Sequence, residues 1–183
     1  MLLDPPSRFV VEWARTLAHR VAEPRRALDV AMGRGRHACA LAVEGYRVFG
    51  VDIKFEAVRD AMIEAAAQRV IVRGWCADLT TFPLGRERFE VIVVTRYLQR
   101  DLFQSLRQTL TPGGVVIYET FTEAQRALGR GPTSADHLLR PGELRSAFED
   151  FEMLFYEEVP EPEAVARIVA KRRIPPKPIE AAL

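Results

Sequence analysis

The sequence of 183 residues predicts an α/β protein with a doubly wound, mostly parallel sheet. Two observations predict this class. Short apolar runs rich in valine and isoleucine alternate with segments whose apolar residues recur at helical spacing, which is typical of strand–helix–strand units. The first apolar run also turns sharply at Gly33 and Gly35, as the chain does in doubly wound sheets beside a nucleotide-type ligand.

The chain opens with a predicted amphipathic helix within residues 1–25. Ser7 is a suitable N-cap, and Pro24 ends the segment. Between them, apolar side chains recur at helical spacing: Phe9, Val10, Trp13, Leu17 and Val21. We expect this stripe to pack on the core.

Five strands of a parallel sheet are predicted next, with helices between them. The strands are expected around Leu28 and Val30 and at residues 46–52, 70–75, 89–94 and 115–120. The helices are expected at residues 37–43, 55–66 and 101–110. A turn over Thr111-Pro112-Gly113-Gly114 is expected before the fifth strand.

The last third of the sequence adds a loop, a helix and a hairpin. Residues 121–140 form a long irregular stretch, which we interpret as a lid or substrate loop. A helix is expected from Pro141. Strands at residues 151–159 and 164–170 are close enough in sequence to pair antiparallel, which gives seven strands with a C-terminal hairpin. Residues 171–183 are basic and proline-rich, and we expect an extended, solvated tail.

The composition favours a single domain spanning residues 1–183 and disfavours several classes of partner. Lys+Arg at 26 against Asp+Glu at 25 gives a net charge of +1, so a nucleic-acid partner is not expected. No run approaches the about 20 apolar residues of a membrane span, and no secretory signal is visible, so a cytoplasmic location is expected. Cys39 and Cys76 have no metal-binding spacing; we expect buried thiols and no metal.

The turn at Gly33 and Gly35 is the predicted ligand site. A helix that begins just after it would direct unpaired N–H groups at a carboxylate or phosphate. Asp52 ends the next strand about 20 residues after Gly33, where a carboxylate can bind a ribose diol. Asp78 follows the third strand and would reach the same edge of the sheet, although capping a turn is an equally good interpretation of this residue.

Two cofactors fit this turn, because residues 33–38 also satisfy the G-x-G-x-x-A dinucleotide pattern. Asp29 lies within the first strand, four residues before Gly33. A pyrophosphate gains nothing from a buried carboxylate there, whereas a ligand that bears an ammonium and a sulfonium group does. The residues therefore favour S-adenosylmethionine over a nicotinamide dinucleotide.

The same residues carry a family resemblance. The stretch from Asp29 to Gly35 resembles the first motif of class I S-adenosylmethionine-dependent methyltransferases, D-x-G-x-G-x-G, with Ala31 in place of the first glycine. Together with Tyr118-Glu119-Thr120-Phe121, it looks closest to small bacterial tellurite-resistance-like methyltransferases. The resemblance implies a Rossmann-like methyltransferase fold and methyl transfer to a small-molecule acceptor.

The resemblance also implies a set of cofactor-binding residues. Asp29 would hold the methionyl end, Asp52 the ribose and Asp78 the adenine amine; the other members are Ala31, Met32, Gly33, Gly35, Ile53, Leu79 and Thr95. No catalytic residue is assigned, because transfer from a sulfonium requires alignment rather than a protein nucleophile.

On the substrate side, the strand ends and the loop offer four further side chains, Arg96, Tyr97, Glu119 and His137. Arg96 would suit an anionic substrate, and the other three are possible bases. Each of those three has an alternative: Tyr97 walls the cofactor pocket, Glu119 pairs with an arginine, and His137 lies exposed in the loop.

Three other functions stay open at this point. The G-x-G-x-x-A pattern and Asp52 suit a nicotinamide-dependent oxidoreductase, although Asp29 disfavours one. The fold also hosts modules that bind a cofactor or a partner without catalysis. A weaker possibility is an RNA methyltransferase recruited through the basic tail, which predicts salt-dependent RNA binding.

Overall fold

The computed structural model describes residues 4–18 and 25–176. Its strands are β1 (Arg26–Val30), β2 (Arg47–Asp52), β3 (Val72–Cys76), β4 (Phe89–Thr95), β5 (Leu110–Phe121), β6 (Glu152–Val159) and β7 (Val165–Lys171). Its helices are α1 (Arg8–Ala18), α2 (Arg36–Val43), α3 (Phe55–Ala67), α4 (Leu102–Thr109) and α5 (Glu143–Ala147). Two 3₁₀ helices, Glu123–Leu128 and Ala135–His137, lie between β5 and α5.

The seven strands form one sheet in the order β3-β2-β1-β4-β5-β7-β6. Strands β1 to β5 form the parallel part of the sheet: every pair of neighbouring strands within this group is parallel. Strand β7 lies between β5 and β6 and is antiparallel to both. The predicted fold class, a doubly wound seven-stranded sheet with a C-terminal antiparallel hairpin, is confirmed.

Helices cover both faces of this sheet. On one face, α1 and α2 bury Val10 and Leu41 against it. On the other face, α4 and α5 contribute Leu106 and Leu144 to a second buried cluster. Because both faces are covered, the central strand β4 is a nearly continuous apolar run rather than an alternating one.

The beginning of β5 differs from the prediction. The strand starts at Leu110, which pairs with Phe89 of β4, and not at residue 115. The expected turn over residues 111–114 is an irregularity within this longer strand. Gly113 and Gly114 hydrogen-bond with the backbone of Arg172, so the far end of the chain keeps this segment in the sheet.

The basic tail also begins differently from the prediction. Lys171 is the last residue of β7, and the Arg172 guanidinium donates to the carbonyl of Leu110 and to Glu87. Arg173 donates to the carbonyl of Asp150. Residues 171–173 are thus attached to the sheet, whereas residues 173–176 are exposed and outside regular secondary structure, as expected of the tail; residues 177–183 lie outside the described part of the chain.

The segment predicted as a lid, residues 121–140, is anchored at several points. The buried Gln125 side chain donates to the carbonyl of Arg130 and accepts from the amide of Ala164. Leu138 and Leu139 are fully buried. The segment is therefore held against the sheet near both ends, and residues 126–137 between these anchors are mostly exposed.

At the other end of the chain, α1 confirms the predicted amphipathic helix as far as Ala18; Val21 and Pro24 lie outside the described residues. Cys39 is buried, as expected, but Cys76 is exposed at the end of β3. In residues 4–18 and 25–176, no helix is long and apolar enough to cross a membrane.

Candidate functional site

The predicted site residues lie along the carboxyl ends of β1 to β4. Strands β1 and β4 are neighbours at the centre of the sheet. After β1 the chain continues into α2 on one face, and after β4 it continues into α4 on the other. This is the topological switch point, where doubly wound sheets bind ligands.

The turn after β1 adopts a left-handed backbone three times, at Ala31 (φ 52°), Gly33 (φ 54°) and Gly35 (φ 80°). A Cβ atom on Gly35 would lie 2.8 Å from Cβ of Ala61, so this glycine allows α2 to approach α3. A Cβ atom on Gly33 would meet nothing within 4 Å. Gly33 therefore faces open space, where a ligand can approach the backbone.

Ala31 occupies the position of the first glycine in the D-x-G-x-G-x-G pattern. Its left-handed backbone costs a residue with a side chain about 1 to 2 kcal/mol. The departure from the pattern is therefore accommodated at the expense of backbone strain.

Asp29 is buried at 1% exposure, and neither of its carboxylate oxygens has a hydrogen-bond partner among the described residues. Burial raises the pKa of this carboxyl group to about 7; the nearby amide of Ala38 and the Arg36 guanidinium oppose the rise in part. An unpartnered buried carboxylate is costly in a folded protein. It fits a site that receives a cationic ligand group.

His37, in the first turn of α2, connects this turn to two distant parts of the chain. Its Nε2 accepts from the amide of Ser7 at 3.0 Å, so Nδ1 carries the proton of the neutral ring. Nδ1 lies 3.0 Å from Oγ1 of Thr95, to which it donates. Burial, together with the smaller effect of the charges of Arg36 and Arg96, lowers the pKa of His37 to about 3, so the ring stays neutral.

Asp52 ends β2 beside the glycine turn. One carboxylate oxygen accepts from the amide of Gly33 at 2.8 Å, and the other accepts from the amide of Lys54 at 2.9 Å. The carboxylate thus fixes the turn on which a ligand would sit. Its remaining lone pairs are available for a diol.

Asp78 follows β3 and is exposed. Its Oδ1 accepts from the amide and the hydroxyl of Thr80, and its carbonyl accepts from the amides of Thr81 and Phe82. The hydroxyl and then the amide of Thr80 lower the pKa of this carboxyl group. The turn-capping interpretation is therefore observed, and the adenine contact stays a prediction.

The remaining predicted cofactor residues differ in exposure. Met32 is buried, and its thioether fills the space above Gly50 and Gly74, so only its backbone faces the turn. Ile53 is exposed at 61% beside Asp52. Leu79 is half-buried against the core.

The four predicted substrate residues have different surroundings in the structure. Arg96 follows β4 with a left-handed backbone (φ 50°), and its Nη2 donates to both carboxylate oxygens of Glu163. Tyr97 is half-buried; burial raises the pKa of its phenol, and Asp78 and Asp52 raise it further. The Tyr97 hydroxyl donates to Gln99, and its carbonyl accepts from the hydroxyl of Tyr118; its role as a pocket wall stays a prediction.

For Glu119 and His137 the structure agrees with the alternatives to a catalytic base, namely an ion pair with an arginine and an exposed position in the loop. Glu119 is buried at 8% exposure and accepts from Nε of Arg167, in an ion pair that joins β5 to β7. His137 is exposed in the second 3₁₀ helix. Neither arrangement identifies a base.

Sequence reasoning did not select Arg36 and His37 as site residues, and the structure places both in the first turn of α2, with Arg36 near Asp29 and His37 bonded to Thr95. One signal for His37 was present. It lies four residues before Leu41 in a helix of small residues, and this spacing puts both side chains on the face that packs against the sheet. No local pattern distinguished Arg36 from the other arginines.

Comparisons with known proteins agree with this geometry. Residues 27–114 match the family model described as "Methyltransferase domain", a range that includes Asp29, Asp52, Asp78 and Thr95. A curated relative, "Ubiquinone biosynthesis O-methyltransferase" of Mesorhizobium japonicum, is 30% identical over 128 residues. The match covers 67% of this chain and 51% of the relative, so the chain spans about half the length of the curated relative it matches.

Solved structures show the same fold. TehB from Haemophilus influenzae superposes with a TM-score of 0.73 at 18% identity, over 92% of this chain and 63% of TehB. A structure from Methanosarcina mazei titled as SAM-dependent methyltransferases superposes with a TM-score of 0.69 at 17% identity, over 87% of this chain and 98% of the other. At these identities the likeness is one of fold.

Proposed function

We propose that this chain, whose residues 27–114 match the methyltransferase-domain family, transfers a methyl group from S-adenosylmethionine to a small-molecule acceptor. One observation carries the proposal. The carboxylate of Asp29 is buried without a partner beside a turn that is open at Gly33. A ligand with an ammonium group supplies the missing partner, and a pyrophosphate does not.

The proposed cofactor lies across the carboxyl ends of β1 to β4. Asp29 takes the ammonium group, and the open backbone at Gly33 accommodates the chain next to it. Asp52 accepts from the ribose hydroxyls while it holds the turn. Ile53, Asp78 and Leu79 surround the adenine, and Thr95, oriented by His37, borders the methionyl side. The residues present fit the cofactor, since its ammonium group and its ribose hydroxyls each meet a carboxylate.

The cofactor supplies the methyl group as an electrophile on a positively charged sulfur. The chain then has to hold the acceptor in line with the methyl group and to exclude water, which favours the transfer because the charge on sulfur disappears. Arg96 and segment 121–140 are proposed to border the acceptor. Tyr97 walls the cofactor side, and Glu119 stabilises the β5–β7 pair; no side chain is assigned as a base.

Calorimetric titration with S-adenosylmethionine, S-adenosylhomocysteine and NADH in parallel tests the proposal. We expect saturable binding of both sulfur ligands and none of NADH. Binding of NADH alone would contradict it and favour the oxidoreductase, which the comparisons do not favour. Methyl transfer from labelled cofactor to a panel of thiols, amines and phenols then separates an enzyme from a module that only binds.

A small-molecule acceptor is favoured over a nucleic acid by the net charge of +1. A cytoplasmic location belongs to the same proposal. Electrophoretic mobility shift with RNA at low salt checks the first point, and cell fractionation checks the second.

A further inference from the structure

A hollow of about 450 Å³ lies at the amino ends of β2 and β3, at the edge of the sheet opposite the candidate site. This volume is in the range of small-molecule pockets. Its apolar lining residues include Val70 and Ile71, and Ile71 is 70% exposed. Three arginines also line it: Arg47, Arg69 and Arg73. The hollow thus combines apolar surface with a group of cations.

The three arginines of this hollow have no partner of opposite charge within residues 4–18 and 25–176. None of their guanidinium groups forms a hydrogen bond or an ion pair with a residue of these ranges. Glu44 is the acid nearest to Arg47 in the sequence, and it is paired with Arg15 at 2.8 Å. The hollow therefore carries several positive charges that the described chain does not neutralise, and such a surface attracts anions.

Phe49 holds two of these arginines next to each other. Arg73 of β3 is its partner in the strand register, and Arg47 lies two residues before it on β2, on the same face. The guanidinium carbons of Arg47 and Arg73 lie 5.8 and 5.7 Å from the centroid of the Phe49 ring. The ring orients both cations without neutralising them. An anion bound between them would reduce their mutual repulsion.

Arg69 occupies a backbone position that favours glycine. At the end of α3, the amide of Arg69 donates to the carbonyl of Ala66, the amide of Val70 donates to that of Ala65, and Arg69 is left-handed (φ 58°). Helix α2 ends in the same way beside the same hollow, and there the left-handed residue is Gly45 (φ 90°). A side chain at this position strains the backbone. Arg69 accepts the strain that Gly45 avoids, and its guanidinium gains no bond within the described chain in return.

We propose that this hollow binds a diphosphate group through Arg47, Arg69 and Arg73. A diphosphate carries several negative charges and many acceptor oxygens, so it can pair with all three guanidinium groups, whereas a single carboxylate cannot. Val70 and Ile71 offer apolar contacts to an organic body attached to the diphosphate. Two sources share this chemistry: inorganic pyrophosphate and an organic diphosphate with an apolar body. The site lies at the far edge of the sheet and does not depend on the proposed function.

Inorganic pyrophosphate and pentyl diphosphate are the probes, and pentanol is the neutral control. Each is titrated into the isotopically labelled full-length protein at constant ionic strength and without divalent cations, and the amide resonances of Gly45 and Val70 are followed by NMR. We expect a saturable response to both diphosphates and none to pentanol at the same concentrations. A second series uses protein saturated with S-adenosylhomocysteine, and the response should not change.

Arg69→Gly is the most informative variant, because it removes a guanidinium and relieves backbone strain together. Its affinity for pyrophosphate should fall by about tenfold, while its melting temperature should not fall. Arg73→Gln should weaken binding by a similar factor. Arg59→Gln is the matched control, since it removes an arginine charge from the exposed face of α3, where Arg59 pairs with Asp60 at 3.0 Å. It should bind pyrophosphate as the wild type does.

The two probes separate the two sources. Tighter binding of pentyl diphosphate than of pyrophosphate assigns the site to an organic diphosphate, and equal affinity assigns it to inorganic pyrophosphate. A wild-type protein without a saturable response to either probe, or undiminished affinity in folded Arg69→Gly and Arg73→Gln, would overturn the proposal. Loss of the response in protein saturated with S-adenosylhomocysteine would place the probes in the cofactor site and would also overturn it. Failure of S-adenosylhomocysteine to bind would count against the proposed function alone.

Discussion

The candidate site at the carboxyl ends of β1 to β4 has two halves, which differ in how their charged side chains are buried and hydrogen-bonded. The inner half, at the ends of β1 and β4, buries Asp29 without a partner and holds His37 neutral. The outer half, at the ends of β2 and β3, places Asp52 and Asp78 nearer to solvent, where backbone amides satisfy them. The carboxylates of the outer half are hydrogen-bonded without a ligand, whereas Asp29 in the inner half has no hydrogen-bond partner among the described residues. The identity of the ligand is therefore set mainly by the inner half.

The inner half should also make two large and opposed contributions to the dependence of stability on pH. Burial raises the pKa of Asp29 from 3.8 to about 7. The unfolded chain therefore loses this proton first as pH rises, and the contribution of Asp29 to the free energy of unfolding falls by on the order of 4 kcal/mol between about pH 4 and 7. His37 acts in the opposite sense, since its pKa falls from 6.5 to about 3 and its contribution is lost as pH falls below 6.5.

The substitution Asp29→Asn can separate the opposed contributions of Asp29 and His37 to the pH dependence of stability. Wild-type stability should change little between about pH 4 and 6.5, because the two contributions oppose each other there. Asp29→Asn keeps only the contribution of His37 and should lose stability steeply below pH 6.5. Urea unfolding at several pH values measures both profiles. Parallel profiles for the two proteins would show that Asp29 is not perturbed by burial.

The same substitution should separate binding from stability. Asp29→Asn removes the charge that the ammonium group requires, so affinity for S-adenosylmethionine should fall by about 3 kcal/mol. The melting temperature of the free protein at pH 8 should rise, because an unpaired buried charge has been removed. Calorimetric titration and scanning calorimetry measure the two effects. A loss of affinity together with a lower melting temperature would indicate general damage instead.

Asp52→Asn should reduce affinity for S-adenosylmethionine less than Asp29→Asn does, and it should change stability in the opposite direction. The carboxylate accepts amides with both oxygens, whereas an asparagine side chain offers one acceptor oxygen, so one of the Gly33 and Lys54 bonds is lost. Affinity should fall by about 1 to 2 kcal/mol, and stability should fall rather than rise. Unchanged affinity in the titration would remove Asp52 from the site.

The sequence allowed the local parts of this site to be predicted. The turn at Gly33 and Gly35, the start of α2 at Arg36 and the placement of Asp29 within a strand all follow from neighbouring residues. The elements that were missed depend on distant partners. His37 is positioned by Ser7, 30 residues away, and by Thr95, 58 residues away.

Long-range contacts also explain two other differences. The early start of β5 at Leu110 depends on pairing with Phe89 and on contacts with Arg172 near the other end of the described chain. From the sequence, Glu119 is a candidate base. The fold pairs it with Arg167 of β7, which donates to its carboxylate, and this partner is 48 residues away in the sequence. Spacing within a segment contains no information about such partners.

Asp78→Asn should have the smallest effect. The side chain is exposed, and its Oδ1 already accepts from the amide and hydroxyl of Thr80, a role that the amide oxygen of asparagine can keep. Affinity for S-adenosylmethionine should therefore change by no more than about twofold, as for most surface substitutions. A loss comparable with that of Asp52→Asn in the same titration would show that Asp78 contacts the adenine. The outer half would then also take part in choosing the ligand, and the contrast between the two halves would be one of burial alone.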